Sequence, residues 1–203
     1  MNKKYNFKQA KFFTTVNDLS MLPPESIKEI AVVGRSNVGK SSLLNVLTNQ
    51  RKLAFVSKTP GRTQHINYFS IDDDGVFLVD LPGYGYAKVP KNIRDHWVLL
   101  LGDYLSKRNQ LLGLVLIMDI RHPLKELDYQ MINFFAQSTN KSIHIVLSKG
   151  DKLNKQEQMK TLQYVTSEIK KINNGFTVQL FSSLKKTGLE ELESTLDTWL
   201  SNT

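Results

Sequence analysis

Residues 29–45 of the chain read E-I-A-V-V-G-R-S-N-V-G-K-S-S-L-L-N, and the pattern G-x-x-x-x-G-K-[ST] runs through them without a gap as Gly34, Gly39, Lys40 and Ser41. The setting constrains the fold. An apolar, largely β-branched run at 30–33 leads into the loop, and Ser42, Leu43, Leu44 and Leu47 leave it with helical spacing, so the loop joins a strand to a helix. Glycines at 34 and 39 allow backbone angles closed to other residues, which lets successive N–H groups turn inward at the positive end of the helix. That cradle suits the phosphates of a nucleotide: Lys40 would meet the β and γ phosphates and the Ser41 hydroxyl would ligate Mg²⁺. A glycine-rich turn that merely spells the motif would not require this strand and helix around it.

The chain has 203 residues, 40% of them apolar and 23% charged, which is enough for one substantial core. The absence of cysteine excludes disulfides, a thiolate nucleophile and sulfur-held zinc, and fits a reducing cytoplasm. The most apolar run, 111–118, is far below the ~20 residues of a spanning helix, and no apolar segment follows the N-terminal lysines. Neither a signal peptide nor stable membrane association is therefore expected. The formal charge is +8, with cations gathered at Lys3, Lys4, Lys8 and Lys11, at Arg51, Lys52 and Lys58, and at Lys88, Lys91 and Arg94. Such an excess favours a polyanionic partner, RNA ahead of a membrane because no basic amphipathic helix stands out, although a merely soluble basic surface would have the same composition.

In chain order, residues 1–22 read as a polar, basic arm with Phe12 and Phe13 available to dock it, closed by Pro23 and Pro24. A polar connection at 51–64 contains S-K-T-P-G-R-T-Q. Strands are expected at 66–71 and 76–79 around the turn Asp72, Asp73, Asp74, Gly75. The second ends in Asp80, Leu81, Pro82, Gly83, a D-x-x-G string that could supply a metal-side carboxylate and an amide for the γ-phosphate. A helix at 91–108 faces inward with Ile93, Trp97, Leu100, Leu101, Tyr104 and Leu105, and a strand at 111–119 follows. Asp119, Arg121 and His122 lie just past its end, where open α/β sheets place functional groups; His122 has no evident catalytic partner. The next helix carries Leu124, Leu127, Met131 and Phe134 at spacings of three and four. A strand at 143–147 ends in Ser148, Lys149, Gly150, Asp151, like the N-K-x-D string with Ser in place of Asn. A carboxylate at Asp151 can accept from both N1–H and the exocyclic amine of guanine, a donor pair adenine lacks, and the Lys149 stem would cover a face of the base. A helix at 156–170 with Met159, Leu162, Val165 and Ile169 inward, a strand at 177–181, the turn Ser182–Ser183, and a helix at 187–200 opened by a Thr187/Glu190 capping box complete the chain. This alternation specifies an α/β fold, a mostly parallel six-stranded sheet with helices on both faces.

The set of motifs resembles the P-loop GTPases, and within them G-R-S-N-V-G-K-S-S-L-L-N, T-P-G-R-T-Q and D-L-P-G-Y-G-Y-A resemble the bacterial EngB family, also called YihA or YsxC. The resemblance implies a GTP-binding domain at 23–203 after an arm at 1–22, hydrolysing GTP to GDP and phosphate with Mg²⁺. It also implies a cytoplasmic, monomeric protein that acts on a precursor of the large (50S) ribosomal subunit, including its rRNA, and is needed for cell division and septation. A nucleotide-sensing scaffold of cell division with incidental hydrolysis is the rival reading, and Asp151 disfavours an ATPase. Carried over by position, phosphate and metal-side contacts fall to Gly34, Arg35, Ser36, Asn37, Val38, Gly39, Lys40, Ser41 and Ser42, then to Gly61, Arg62, Thr63, Gln64 and His65, and to Asp80, Leu81, Pro82 and Gly83. Guanine contacts fall to Ser148, Lys149, Asp151, Phe181, Ser182 and Ser183. Mg²⁺ would be held by Ser41, Thr63 and Asp80, with Lys40, Thr63 and Gly83 as the catalytic groups. Tyr84 stands where Ras-like enzymes carry a water-orienting Gln, which predicts slow intrinsic hydrolysis. Asn37 matches a position that often accompanies K⁺ beside the phosphates; it is equally a turn residue tolerant of unusual angles.

Overall fold

The computed structural model describes residues 4–24, 26–54, 65–85 and 91–201, with backbone only for 91–98. In chain order it runs β1 (Lys11–Val16), β2 (Lys28–Gly34), α1 (Lys40–Leu47), β3 (Ile66–Ser70), β4 (Val76–Asp80), α2 (Lys91–Lys107), β5 (Leu111–Asp119), α3 (Glu126–Ser138), β6 (Ser142–Ser148), α4 (Lys155–Ile172), β7 (Thr177–Leu180) and α5 (Leu189–Ser201), with three short 3₁₀ turns. The strands form a sheet in the order β1-β3-β4-β2-β5-β6-β7. β4, β2, β5, β6 and β7 pair in parallel, while β1 and β3 add an antiparallel edge.

Seven strands replace the six expected. The extra one, β1, comes from the segment read as a basic arm. Its K-F-F-T-T-V composition has the aromatic and β-branched content that fits a half-buried pleated surface. Phe12 meets Phe69 edge-on at 6.2 Å and Phe13 meets Phe77 at 5.1 Å, one on each face of the sheet.

Two cores lie on the two faces. β5 is buried on both sides, so its sequence is a continuous apolar run, with Leu114, Leu116 and Met118 facing one core and Val115 and Ile117 the other. The first core takes Tyr104 and Leu105 from α2, Ile132 and Phe135 from α3, and Val165 and Ile169 from α4. The second takes Leu43, Leu44 and Leu47 from α1 and Leu192, Leu196 and Leu200 from α5. The α5 leucines recur every four residues on one stripe, and each contributes about 1.5–3 kcal/mol by leaving water. Gly113 is small for a packing reason: a Cβ there would lie 2.6 Å from the Trp199 ring of α5.

Three helical expectations are corrected. On α3, Leu127 and Phe134 are 39% and 38% exposed, and the buried stripe is Asp128, Ile132, Phe135. On α4, Met159 is exposed while Val165 and Ile169 are buried. α5 begins at Leu189, and Thr187 precedes it as the bridge partner of Ser182, its carbonyl accepting the Ser182 N–H at 3.1 Å. The Trp97 side chain lies outside the described residues. Tyr104 is buried as expected and donates to the buried carboxylate of Glu29 at 2.7 Å, which fixes the end of α2 to the start of β2.

Candidate nucleotide-binding site

The carboxyl ends of the parallel strands carry the candidate site side chains, where open α/β sheets place functional groups. β2 ends in Gly34, where a Cβ would come within 2.6 Å of the Ile117 carbonyl, so only glycine lets the chain turn against β5. The loop then passes through Asn37 at φ 66° and Gly39 at φ 103°, both left-handed, and enters α1 at Lys40. The N–H groups of Lys40, Ser41 and Ser42 open the helix and have no intrahelical acceptor, which leaves them for an anion at its positive end. Ser36 differs: its N–H is given to the Tyr84 carbonyl at 3.1 Å.

Lys40 and Asp80 form a buried ion pair, the ammonium donating to the carboxylate across the space between α1 and the end of β4. Asp80 is 3% exposed and Lys40 9%. Ser41 lies one residue into α1, half-buried. The donor set here is a carboxylate and a hydroxyl, hard oxygens that suit Mg²⁺, and Asp80 already neutralises a cation in this structure. Among the described residues no group of three or more His, Cys, Asp or Glu could hold a metal alone. Leu81 is fully buried, its N–H donating to Val32 at 3.0 Å, and Pro82 is buried beside it. Gly83 rests on the loop, where a Cβ would be 3.4 Å from both the Gly34 carbonyl and the Ser36 hydroxyl. His65 is exposed at the approach to β3, and Gly61, Arg62, Thr63 and Gln64 lie outside the described residues.

At the other end of the loop, the β6–α4 connection is tied to it by side chains. The Ser148 hydroxyl lies 2.5 Å from the Val38 carbonyl and 3.0 Å from that of Met118; its one proton serves one of them. A hydroxyl thus joins base loop to phosphate loop where the N-K-x-D string carries an amide. Lys149 adopts φ 59° and donates its ammonium to the Asn37 carbonyl at 2.7 Å, with the Asp119 carboxylate at 3.0 Å. Asp119 also takes both arms of Arg121, at 2.9 and 2.6 Å. Burial opposes the Asp119 charge, but the bonds from Arg121 and Lys149 outweigh it and hold the carboxyl well below the usual carboxylate range. Asp151 accepts from the Ser182 hydroxyl at 2.7 Å, the main reason its carboxyl also sits low. Phe181 is buried, its carbonyl receiving the Gly150 N–H at 2.9 Å, and Ser183 is half-buried beyond it. The loop at 34–40 and the Asp151 carboxylate therefore lie at the carboxyl ends of the strands, joined through Ser148 and Lys149, an arrangement that a phosphate tail and a base edge would fit.

Arg35 turns away from the loop. Its guanidinium donates to Asp128 at 3.2 Å and to the His122 carbonyl at 2.7 Å. Asp128 also accepts from the Tyr84 hydroxyl at 2.8 Å and from the Lys125 N–H at 2.9 Å. Nothing in the hydrophobic pattern marks Asp128; the one local signal is an acid three residues past Lys125, where a helix start places one.

A family profile described as 50S ribosome-binding GTPase matches residues 29–149. The GTP-binding protein EngB of Neisseria meningitidis serogroup B is 60% identical over 196 residues, covering 96% of this chain and 92% of its own. A crystal structure of an EngB GTP-binding protein superposes with a TM-score of 0.68 at 19% identity, over 86% of this chain and 100% of that one. Era from Aquifex aeolicus bound to GDP and AlF₄⁻ superposes with a TM-score of 0.69 at 22% identity, over 86% of this chain and 57% of its own. Both structures share the fold of this chain.

Proposed function

Because the chain belongs to the EngB family of GTP-binding proteins and is a P-loop GTPase, we propose that it is a slow GTP switch in assembly of the large ribosomal subunit. In this reading it works in the cytoplasm as a monomer, its triphosphate state binds a 50S precursor including rRNA, and cell division and septation depend on it through that step. The observation that carries the reading is the 60% identity to EngB across 96% of the chain. The matching profile's description as 50S ribosome-binding and the formal charge of +8 support the choice of partner.

The phosphate loop binds the triphosphate tail through its inward N–H groups. Lys40 exchanges Asp80 for the β and γ phosphates, and Asp151, held by Ser182, accepts from the guanine edge. Ser41, Thr63 and Asp80 would hold Mg²⁺, which when bound neutralises charge on the β and γ oxygens. Water attacks the γ phosphorus, the bond to the β–γ bridging oxygen breaks, and GDP and phosphate leave. The Gly83 N–H meets the γ oxygens, and Thr63 is the further catalytic group carried over by position. The Tyr84 hydroxyl is taken by Asp128, so no side chain at that position orients the water, which supports a low intrinsic rate.

Single-turnover hydrolysis by the isolated protein, with and without immature large subunits, tests the proposal. Slow turnover that rises with the particles, together with precursor accumulation on depletion, is expected. A rate indifferent to the particles, without precursor accumulation, would favour the division scaffold. K⁺ beside the phosphates through Asn37 is the finer part of the proposal: faster hydrolysis in KCl than in NaCl supports it, and equal rates remove it.

A further inference from the structure

Resting on the nucleotide reading above, we propose that Asp128 and Tyr84 are positioning residues that hold the Gly83 amide over the phosphate loop and thereby set the affinity for GTP relative to that for GDP. Asp128 is fully buried, and a buried carboxylate is tolerated only where several donors satisfy it. Its donors come from three separate parts of the chain. Tyr84 OH belongs to the D-x-x-G segment, Arg35 Nε to the phosphate loop, and the Lys125 N–H to the start of α3. One carboxylate therefore pins the residue after Gly83 to the residue after Gly34.

The backbone repeats the connection. The Tyr84 N–H donates to Gly34 O at 3.3 Å, Ser36 N–H donates to Tyr84 O at 3.1 Å, and Arg35 and Tyr84 form a parallel bridge that extends β2 beyond the sheet. Burial, then the Asp128 charge, pushes the Tyr84 hydroxyl far above its ordinary range, so it stays a neutral donor at any working pH. On the far side, Gly85 at φ +78° holds a left-handed turn that favours glycine, next to the Leu127 side chain of α3. Tyr84 is thus fixed between loop and helix, and Gly83 with it.

The functional consequence comes from which phosphate each part meets. The loop N–H groups serve the phosphates common to GDP and GTP; the Gly83 amide serves the one that only GTP carries. An interaction shifts an equilibrium only by its difference between the two bound states, so loosening Gly83 weakens GTP and spares GDP. A residue that merely supports the fold would weaken both.

Calorimetric titration of the full chain with GDP and with a non-hydrolysable GTP analogue, in magnesium buffer, separates these outcomes. For Tyr84→Phe and for Asp128→Asn, GDP affinity should stay within about twofold of the parent while analogue affinity falls roughly tenfold, the scale of one charge-assisted hydrogen bond. The double variant should fall no further than Asp128→Asn alone, because the Tyr84 hydroxyl acts through that carboxylate. Gly85→Ala, which touches neither side chain but strains the left-handed backbone next to Tyr84, should reproduce the selective loss. Equal losses for both nucleotides, an unchanged ratio, or a gain for the analogue would overturn the inference, and Tyr84→Phe decides it alone should Asp128→Asn not fold. A parent that binds neither nucleotide would instead remove the functional reading, and the inference with it.

Discussion

The two ends of the candidate site differ in how their side chains are held. At the base end each polar group already has a partner that a bound guanine would leave in place: Ser148 on Val38, Lys149 on Asn37 and Asp119, Asp151 on Ser182. At the phosphate end Lys40 is paired with Asp80, and under the proposed function that pair opens when the ammonium turns to a phosphate. The base end is pre-organised and loses little order on binding; the phosphate end exchanges one buried charge partner for another. Under the proposed function, recognition of the base would therefore be rigid, while recognition of the phosphates would be coupled to exchange of the Lys40–Asp80 pair.

Lys40→Ala gives the largest expected effect, because it removes the phosphate cation and leaves the Asp80 carboxylate buried and unpaired. We expect a loss of about 3–5 kcal/mol in folding stability, the usual result of breaking a buried pair, with nucleotide binding undetectable by calorimetry. The sharper version replaces both partners, Lys40→Met with Asp80→Leu. Buried ion pairs exchanged for apolar groups of similar size are often neutral for stability, so melting should recover while nucleotide binding stays absent. A double variant that still binds GTP would show that the phosphate end does not depend on the exchange.

Asp151→Asn attacks the rigid end. It removes an acceptor for two guanine donors, and GDP affinity should fall by roughly two to three orders of magnitude, on the scale of two hydrogen bonds to a charged group. Xanthosine diphosphate, whose base offers a complementary pattern, should gain. Competition titrations with the two diphosphates read this directly, and an unchanged preference would take Asp151 out of the site.

The phosphate loop was legible in the sequence because its requirement is local: two glycines, a lysine and a hydroxyl at fixed spacing between a strand and a helix. The bounds of β5, 111–119, followed equally from one continuous apolar run. The face of α3 did not. Leu127, Met131, Phe134 and Asp128, Ile132, Phe135 are adjacent stripes of the same period, and hydrophobicity favours the first because it counts Asp128 as polar. Its burial depends on Tyr84 and Arg35, which lie 44 and 93 residues away in the chain, a distance no local pattern spans. β1 was missed for another reason. F-F-T-T-V is a strand composition, but the lysines around it read as a solvated arm, and only pairing with β3 makes it part of the sheet.

Asp119→Asn gives the smallest effect, at the joint between the two ends. It should weaken GDP binding only about fivefold, since Lys149 keeps its bond to Asn37 and loses one charged partner, and it should leave guanine preference intact. Its pH dependence identifies the cause. Arg121 and Lys149 lower the carboxyl in the folded protein, so Asp119 contributes stability that is fully present above the unfolded value of 3.8 and is lost as pH falls through the lower folded one. The melting-temperature difference between parent and Asp119→Asn should therefore hold constant from pH 7 to about pH 5, then shrink below about pH 4, where the unfolded parent takes up a proton on Asp119 that the folded one still excludes. A difference that grew on acidification would mean that the carboxyl is raised on folding, and Lys149 would then owe its position to Asn37 alone.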